Sequence, residues 1–234
     1  MASRQPTAPL AMTADFILLL DLDGVLVVET APSATADSEI VLLHKTLAET
    51  ITPLTCPVVV LTHRSKSEAR LILSAMKLGS VPFVAAEDLY ASARRQAGFG
   101  SLFLRGLAKS WILPEIEALY GISRANIAFI DDNEKNAGDM LAAGIGLALL
   151  APSSISSDGT TLTTFSMDEA IGLVQRWTGS GHRGGGLRSL TPVEVAIDPS
   201  SRTGMSTKRA SRHAFNAARR VARLTRTLLF NNRP

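Results

Sequence analysis

The sequence contains a single cysteine, Cys56, among 234 residues, so no disulfide can form within the chain. A lone thiol is typical of proteins from reducing compartments such as the cytoplasm. No apolar run reaches the roughly 18 residues that a membrane span requires, and residues 1–16 lack the apolar core of a signal peptide. We therefore expect a cytoplasmic protein.

Acidic residues are scarce in the last quarter of the chain. Residues 178–234 contain 11 Lys/Arg and 2 Asp/Glu, whereas residues 1–177 contain 13 Lys/Arg and 19 Asp/Glu. The first part has a net charge of −6 and the second part a net charge of +9. This difference in net charge indicates that the two parts of the chain have separate roles.

Short apolar runs alternate with segments of helical periodicity between residues 14 and 177. This alternation is typical of βαβ units, which build a parallel sheet. We predict an α/β catalytic domain over 14–177 with a doubly wound parallel sheet. The predicted strands are 16–21, 57–62, 81–86, 125–131 and 145–151, and the predicted helices are near 37–50, 65–78, 110–120, 134–143 and 167–177.

The composition changes after Trp177. Five glycines in the nine residues 178–186 indicate a flexible Gly/Ser-rich linker over 178–206, with one weak strand pattern at 192–197. In residues 207–230, helical spacing would place the arginines on one face and the aliphatic residues on the opposite face. This pattern predicts a basic amphipathic helix. Such an extension could contact an anionic membrane, nucleic-acid phosphates or a partner protein. Deletion of 178–234 is then expected to leave turnover of a small substrate nearly unchanged.

Polar residues follow several of the predicted strands. Ligands of open parallel sheets bind beyond the carboxyl ends of the strands, so these side chains should converge. Several carboxylates at one place repel each other unless a hard cation neutralises them, and oxygen ligands favour Mg²⁺. The converging residues are Asp21, Asp23, Thr62, Lys109, Asp131 and Asp132.

These residue types suit phosphoryl transfer. Asp21 could attack a phosphorus and form an aspartyl-phosphate, and Asp23 could exchange protons with the leaving group and with water. Thr62 and Lys109 could bind the phosphate oxygens, where charge accumulates. Arg64 either contacts a second anionic group of the substrate or is solvated.

In these motifs the sequence resembles the haloacid dehalogenase-like (HAD) superfamily of phosphohydrolases. The stretches 21–26 (DLDGVL), 58–62 (VVVLT) and 129–145 (FIDDNEKNAGDMLAAGI), together with Lys109, match its four motifs in order, within 14–151. A receiver domain uses similar residues in a different order, which argues against that alternative.

The resemblance implies a HAD-like Rossmannoid fold with Asp21 as the nucleophile and Asp23 as the acid/base. It also implies Mg²⁺ ligands from Asp21, from the backbone carbonyl of Asp23, and from Asp131 and Asp132. Asn136 resembles the family's helix-start asparagine that orients the acidic loop, although it could be an ordinary polar helix residue.

Neither gap between the motifs accommodates a full cap domain, so the resemblance implies a capless member with an open site. The segment 87–106 is the best candidate for a small local lid. His63 is interpreted as a loop residue, because Asp23 already supplies acid/base chemistry.

The sequence thus predicts a Mg²⁺-dependent phosphohydrolase acting on a phosphomonoester, with a substrate that could be macromolecular. Two alternatives stay open, namely a phosphotransferase of the same fold and a HAD-like binding or regulatory protein with little turnover. The sequence leaves the oligomeric state open.

Overall fold

The computed structural model describes residues 15–30, 39–44, 46–52, 54–181 and 185–206. The predicted basic helix 207–230 lies outside these residues. Across the part of the chain that is described, no helix is long and apolar enough to cross a membrane.

The described residues form short strands and six α-helices. The strands are β1 (Ile17–Leu20), β2 (Val27–Glu29), β3 (Glu39–Leu42), β4 (Val58–Leu61), β5 (Phe83–Val84), β6 (Ile127–Asp131), β7 (Leu147–Leu150), β8 (Ser154–Ile155), β9 (Thr161–Thr164), β10 (Gly186–Ser189), β11 (Val193–Ala196) and β12 (Arg202–Ser206). The α-helices are α1 (Leu47–Ile51), α2 (Lys66–Ala75), α3 (Ala86–Arg105), α4 (Leu113–Tyr120), α5 (Glu134–Ala142) and α6 (Met167–Gly179), and 3₁₀ turns cover Lys109–Ile112, Arg124–Asn126 and Pro199–Ser201.

The central sheet has the strand order β10-β7-β6-β1-β4-β5, and every neighbouring pair is parallel. Both faces of this sheet are covered by other parts of the protein. Leu18 and Leu20 belong to one buried cluster, and Ile17 and Leu19 belong to the other. This two-sided burial explains the uninterrupted apolar run of β1. The predicted fold class, an α/β protein with a parallel sheet, is confirmed.

Two helix starts are fixed by side-chain caps close to the carboxyl edge of the sheet. Ser65 caps α2 and forms a reciprocal capping box with Glu68. Asn133 caps α5 by accepting hydrogen bonds from the backbone N–H groups of Lys135 and Asn136. These caps hold the loops after β4 and β6 in place.

The prediction of a helix over 37–50 is wrong for residues 39–42, which form β3. This strand pairs antiparallel with β2 on one side and with β12 on the other. Ile40 and Val41 are both buried, on opposite faces of the strand. Pairing on both edges satisfies the backbone of this extended segment, and the helix is confined to α1.

Residues 186–206 also differ from the predicted linker, because they contain three strands. Strand β10 adds to the central sheet beside β7, β11 pairs with β9, and β12 pairs with β3. A Cβ atom on Gly185 would lie 1.9 Å from the carbonyl oxygen of Gly146, and Gly186 has a φ of +103°. Gly185 therefore allows a close backbone approach, and Gly186 allows a left-handed backbone conformation, so both glycines have a role in the fold. The folded unit therefore extends beyond Trp177 to Ser206.

No separate cap domain occurs among the described residues of the two gaps. The first gap holds the β2–β3 hairpin and α1, and the second holds α2, β5 and α3. The segment predicted as a lid is most of α3, whose Leu89 and Ala93 are buried. The side chains of 98–105 lie outside the described set.

Candidate active site

Four buried polar side chains meet at the carboxyl edge of the central sheet. Asp21 follows β1, Thr62 follows β4, and Asp131 is the last residue of β6, and these three strands are neighbours. Lys109 begins the 3₁₀ turn that leads into α4. The exposed fractions are 6% for Asp21, 0% for Thr62, 2% for Lys109 and 0% for Asp131. Buried polar groups are costly unless they are paired, so this concentration marks a built site.

The Lys109 ammonium group pairs with two carboxylates. Its Nζ atom lies 2.6 Å from Asp21 Oδ2 and 2.7 Å from Asp131 Oδ2. Burial raises the pKa of Asp21 well above its usual value, the charge of Lys109 opposes this shift, and the charge of Asp131 adds to it. The positive charge of Lys109 therefore offsets only part of the negative charge of the buried carboxylates.

Three carboxylates form a potential metal site. Oxygen atoms of Asp21, Asp131 and Asp132 all lie within 4.8 Å of one another. Burial and the charge of Asp131 raise the pKa of Asp132 to about 6. Three carboxylates against one ammonium leave excess negative charge, and an all-oxygen donor set fits a hard divalent cation such as Mg²⁺.

Gly24 makes room for this cluster. Its φ is +76°, and a Cβ atom at this position would lie 2.0 Å from Asp132 Oδ2. Glycine is therefore required both by the backbone conformation and by the close approach of the Asp132 carboxylate. The glycine of the DLDG stretch is part of the site geometry, a role that the sequence analysis missed.

The start of α5 orients Asp131. The backbone N–H of Asn133 donates to Asp131 Oδ1 at 2.8 Å, and Asn136 Nδ2 lies 3.2 Å from both carboxylate oxygens. Asn136 therefore contacts the acidic loop, as in the resemblance, rather than being an ordinary polar helix residue.

Asp23 stands apart from the three-carboxylate cluster. Its side chain is 43% exposed, and its carboxylate receives hydrogen bonds from Arg64 Nε at 2.8 Å and Arg64 Nη2 at 2.6 Å. Arg64 Nη2 also lies 2.6 Å from Glu29 Oε1. Burial opposes the charged form of Arg64, but the hydrogen bonds of Asp23 and Glu29 raise its pKa above the usual value.

Thr62 and His63 are fixed in the loop after β4. The Thr62 hydroxyl accepts a hydrogen bond from the backbone N–H of Arg64 at 3.1 Å. His63 Nε2 lies 2.7 Å from the carbonyl oxygen of Leu107, which ties this loop to the segment before Lys109. Burial and the charge of Lys109 lower the pKa of His63. These contacts agree with His63 as a loop residue.

Glu29 is a residue of this region that the sequence analysis did not identify. Glu29 is the last residue of β2, whereas its partner Arg64 lies in the loop after β4, far away in the sequence.

No protein-family model and no curated protein sequence matches the chain. Several solved structures are similar to it. A haloacid dehalogenase-like family hydrolase from Streptococcus pneumoniae aligns over 58% of this chain and 84% of that chain, with 10% identity and a TM-score of 0.40. A 3-deoxy-D-manno-octulosonate 8-phosphate phosphatase from Yersinia pestis aligns over 59% of this chain and 65% of that chain, with 12% identity and a TM-score of 0.39. The corresponding phosphatase from Moraxella catarrhalis, in complex with magnesium and phosphate ions, aligns over 59% of this chain and 70% of that chain, with 14% identity and a TM-score of 0.37.

Proposed function

We propose that this protein is a Mg²⁺-dependent phosphohydrolase that cleaves a phosphomonoester through an aspartyl-phosphate on Asp21. The observation that carries the proposal is the position of Asp21, which lies 2.6 Å from Lys109 and within the three-carboxylate cluster. A buried carboxylate between an ammonium group and a cation site is suited to a nucleophile that must approach an anionic phosphate.

Asp21, Asp131 and Asp132 would hold the cation, and the resemblance adds the Asp23 backbone carbonyl. When bound, Mg²⁺ would neutralise these carboxylates and draw charge from a phosphate oxygen. Lys109 and Thr62 would bind the other phosphate oxygens as charge accumulates there.

The chemical steps follow from the two aspartates. A carboxylate oxygen of Asp21 forms a bond to phosphorus while the bond from phosphorus to the leaving oxygen breaks, and Asp23 donates a proton to that oxygen. Asp23 then takes a proton from water, whose oxygen attacks phosphorus and breaks the acyl-phosphate bond. Inorganic phosphate leaves, and both carboxyl groups regain their starting protonation.

The exposure of Asp23 supports its separate role. Asp21 is buried at the base of the site, whereas the Asp23 side chain is 43% exposed. A half-exposed carboxyl group can reach both a departing alcohol and an incoming water.

The test is hydrolysis of 4-nitrophenyl phosphate by the full chain with Mg²⁺ and with EDTA. We expect Mg²⁺-dependent turnover that is lost in EDTA and in Asp21→Asn, but kept in Asp139→Asn, which changes a half-buried carboxylate on α5. No turnover with any of a panel of phosphomonoesters would contradict the proposal. Phosphate transfer to an added alcohol in preference to water would instead identify a phosphotransferase.

We also propose that the basic extension binds an anionic membrane surface. Residues 207–234 contain eight Lys/Arg and no Asp/Glu. The described chain ends in β12, which belongs to the same three-stranded sheet as Glu29 at the site. Each basic residue near an anionic bilayer contributes about 1 kcal/mol. The aliphatic residues of the predicted amphipathic helix would add apolar contact.

Sedimentation with vesicles tests this second proposal. The full chain should bind vesicles that contain phosphatidylglycerol, should release at high salt, and should not bind pure phosphatidylcholine. A chain ending at Ser206 is the matched control and should not bind. Binding to oligonucleotides without binding to anionic vesicles would favour a nucleic-acid partner.

A further inference from the structure

The guanidinium group of Arg64 is engaged by two carboxylates from different parts of the fold. Nε lies 2.8 Å and 3.0 Å from the two Asp23 oxygens, and Nη2 lies 2.6 Å from Asp23 Oδ1 and 2.6 Å from Glu29 Oε1. The Arg64 side chain is only 12% exposed, whereas both carboxylates are more than 40% exposed. Arg64 is therefore the buried centre of a three-residue ion-pair network.

This network carries no spare positive charge. With both carboxylates ionised the three residues have a combined charge of −1. With Asp23 protonated, as the proposed acid step requires, their combined charge is 0, so in neither state does the group as a whole attract a further anion. Of the two alternatives for Arg64, contact with a second anionic group of the substrate therefore has little electrostatic support. The other alternative, a solvated side chain, does not fit its exposed fraction of 12%.

The same geometry does restrict the Asp23 side chain. A half-exposed aspartate otherwise samples several rotamers, and holding one of them costs conformational entropy. Contacts from Nε and Nη2 of one planar guanidinium fix both the position and the plane of a carboxylate. Arg64 is itself anchored, because its backbone N–H donates to Thr62 Oγ1 at 3.1 Å and α2 is capped by the next residue, Ser65.

Glu29 adds a second support from the hairpin. Strand β2 ends at Glu29, which pairs with Ile40 of β3. The following residue, Thr30, donates its backbone N–H to the Glu39 carbonyl at 2.8 Å and accepts from the Glu39 N–H through its hydroxyl at 2.8 Å. The Glu29 backbone is thus held in a sheet, and its carboxylate limits the rotation of Arg64.

We propose that Glu29 and Arg64 are positioning residues that hold the Asp23 carboxyl group at the reacting oxygen. The inference rests on the proposed phosphohydrolase function and assigns a new role to the hairpin residue Glu29. Neither residue touches the phosphate, and both act through Asp23.

Leaving-group dependence tests this inference, because protonation matters most when the leaving alcohol is a poor one. The variants are Glu29→Gln and Arg64→Lys, and the substrates are an alkyl phosphate and 4-nitrophenyl phosphate. For both variants, kcat/KM should fall by roughly 10- to 100-fold for the alkyl phosphate, since general acid catalysis contributes about 10²–10⁴-fold. It should fall by less than about threefold for the nitrophenyl ester, whose leaving group needs little protonation.

Glu39→Gln is the matched control, since Glu39 lies on the same hairpin and pairs with Arg202 at 3.1 Å. It should leave kcat/KM unchanged for both substrates. Glu29→Asp should partly restore the alkyl phosphate activity that Glu29→Gln loses.

Two results would overturn the inference while leaving the proposed function intact. A higher KM in Arg64→Lys and a lower KM in Glu29→Gln, equal for both substrates, would show that Arg64 binds substrate. An equal loss for both substrates with a lower melting temperature would show a purely structural role. A wild-type chain without Mg²⁺-dependent turnover would overturn the proposed function and this inference with it.

Discussion

The ammonium group of Lys109 lies 2.6 Å from the Asp21 carboxylate, and both side chains are almost completely buried. The same nitrogen is 2.7 Å from Asp131, so one cation separates two acidic groups. In the absence of a metal ion, Lys109 is the main charge that offsets the repulsion between them. This arrangement gives Lys109 a structural role besides the proposed phosphate binding.

Replacement of Lys109 by methionine should therefore destabilise the metal-free protein. Removing one partner from a buried ion pair typically costs about 3–5 kcal/mol, because the remaining charges stay unpaired. Urea unfolding in EDTA measures this loss, and added Mg²⁺ should recover part of it. Lys135→Met, at an exposed position on α5, is the control and should change stability little. Equal stability of the two variants in EDTA would contradict the prediction.

Replacement of Asp21 by asparagine should separate stability from activity. Burial raises the pKa of Asp21, which means that its charged form is unfavourable in the fold, and the variant still leaves Lys109 paired with Asp131. We expect unchanged or higher stability, with turnover reduced by roughly 10⁴-fold or more, as for other nucleophile deletions. Urea unfolding and a steady-state assay on the same preparation check both parts. Retained turnover in a folded variant would contradict the assignment of the nucleophile.

The sequence predicted the central sheet well because its signals are local. Apolar runs such as Ile17–Leu20 are covered on both faces, and the polar residues that end them lie at one edge. Because β6, β1 and β4 are neighbours in the sheet, the residues at their carboxyl ends, Asp131, Asp21 and Thr62, lie close together.

The errors occurred where long-range pairing decides the structure. Residues 39–42 are extended because β2 and β12 flank them, and β12 lies far away in the sequence. The glycines near 185 resemble a flexible linker in composition, but they allow β10 to approach Gly146. The contact of Glu29 with Arg64 depends on both the hairpin and the loop after β4, so no local pattern indicated it.

The affinity for Mg²⁺ should depend on pH through Asp132. Burial and Asp131 raise the pKa of Asp132 to about 6, so this group binds a proton in the metal-free protein below that pH. A proton and Mg²⁺ compete for the carboxylate, and affinity should fall below pH 6 by up to about tenfold per pH unit for each proton displaced. Calorimetric titration between pH 5 and pH 8 measures the effect. Asp132→Asn should bind more weakly at pH 8 but with a flatter pH dependence, and an unchanged dependence would contradict the role of Asp132.

Substitution of Gly24 by alanine should disturb the proposed metal site. The φ of +76° is strained for alanine by about 1–3 kcal/mol, and the new Cβ would lie 2.0 Å from Asp132 Oδ2, so the carboxylate must move. We expect at least a tenfold loss of Mg²⁺ affinity, roughly 1.4 kcal/mol. Gly138→Ala is the matched control, because that α5 position has open space and should gain up to about 1 kcal/mol of helix stability. Wild-type affinity in Gly24→Ala would show that Asp132 does not need its observed position.

Truncation at three points should separate the folded strands from the basic extension. A chain ending at Ser206 keeps every described strand and should retain wild-type stability and small-substrate turnover. A chain ending at Ile197 loses β12, the partner of β3, and should lose alkyl phosphate activity more than nitrophenyl phosphate activity because the hairpin that carries Glu29 is loosened.

A chain ending at Gly185 also loses β10 and Leu190, which is 3% exposed and packs in the cluster that contains Trp177. Burial of one leucine side chain contributes about 1.5–3 kcal/mol, and β7 would in addition lose one of its two parallel neighbours. Its urea midpoint should therefore fall below that of the other two chains. This expected order of stabilities replaces the expectation that deletion of 178–234 leaves small-substrate turnover nearly unchanged. That deletion removes the end of α6 and three strands. Equal stability of the chains ending at Gly185 and Ser206 would mean that β10, β11 and β12 add nothing to the stability of the fold, and the predicted domain boundary at Trp177 would then stand.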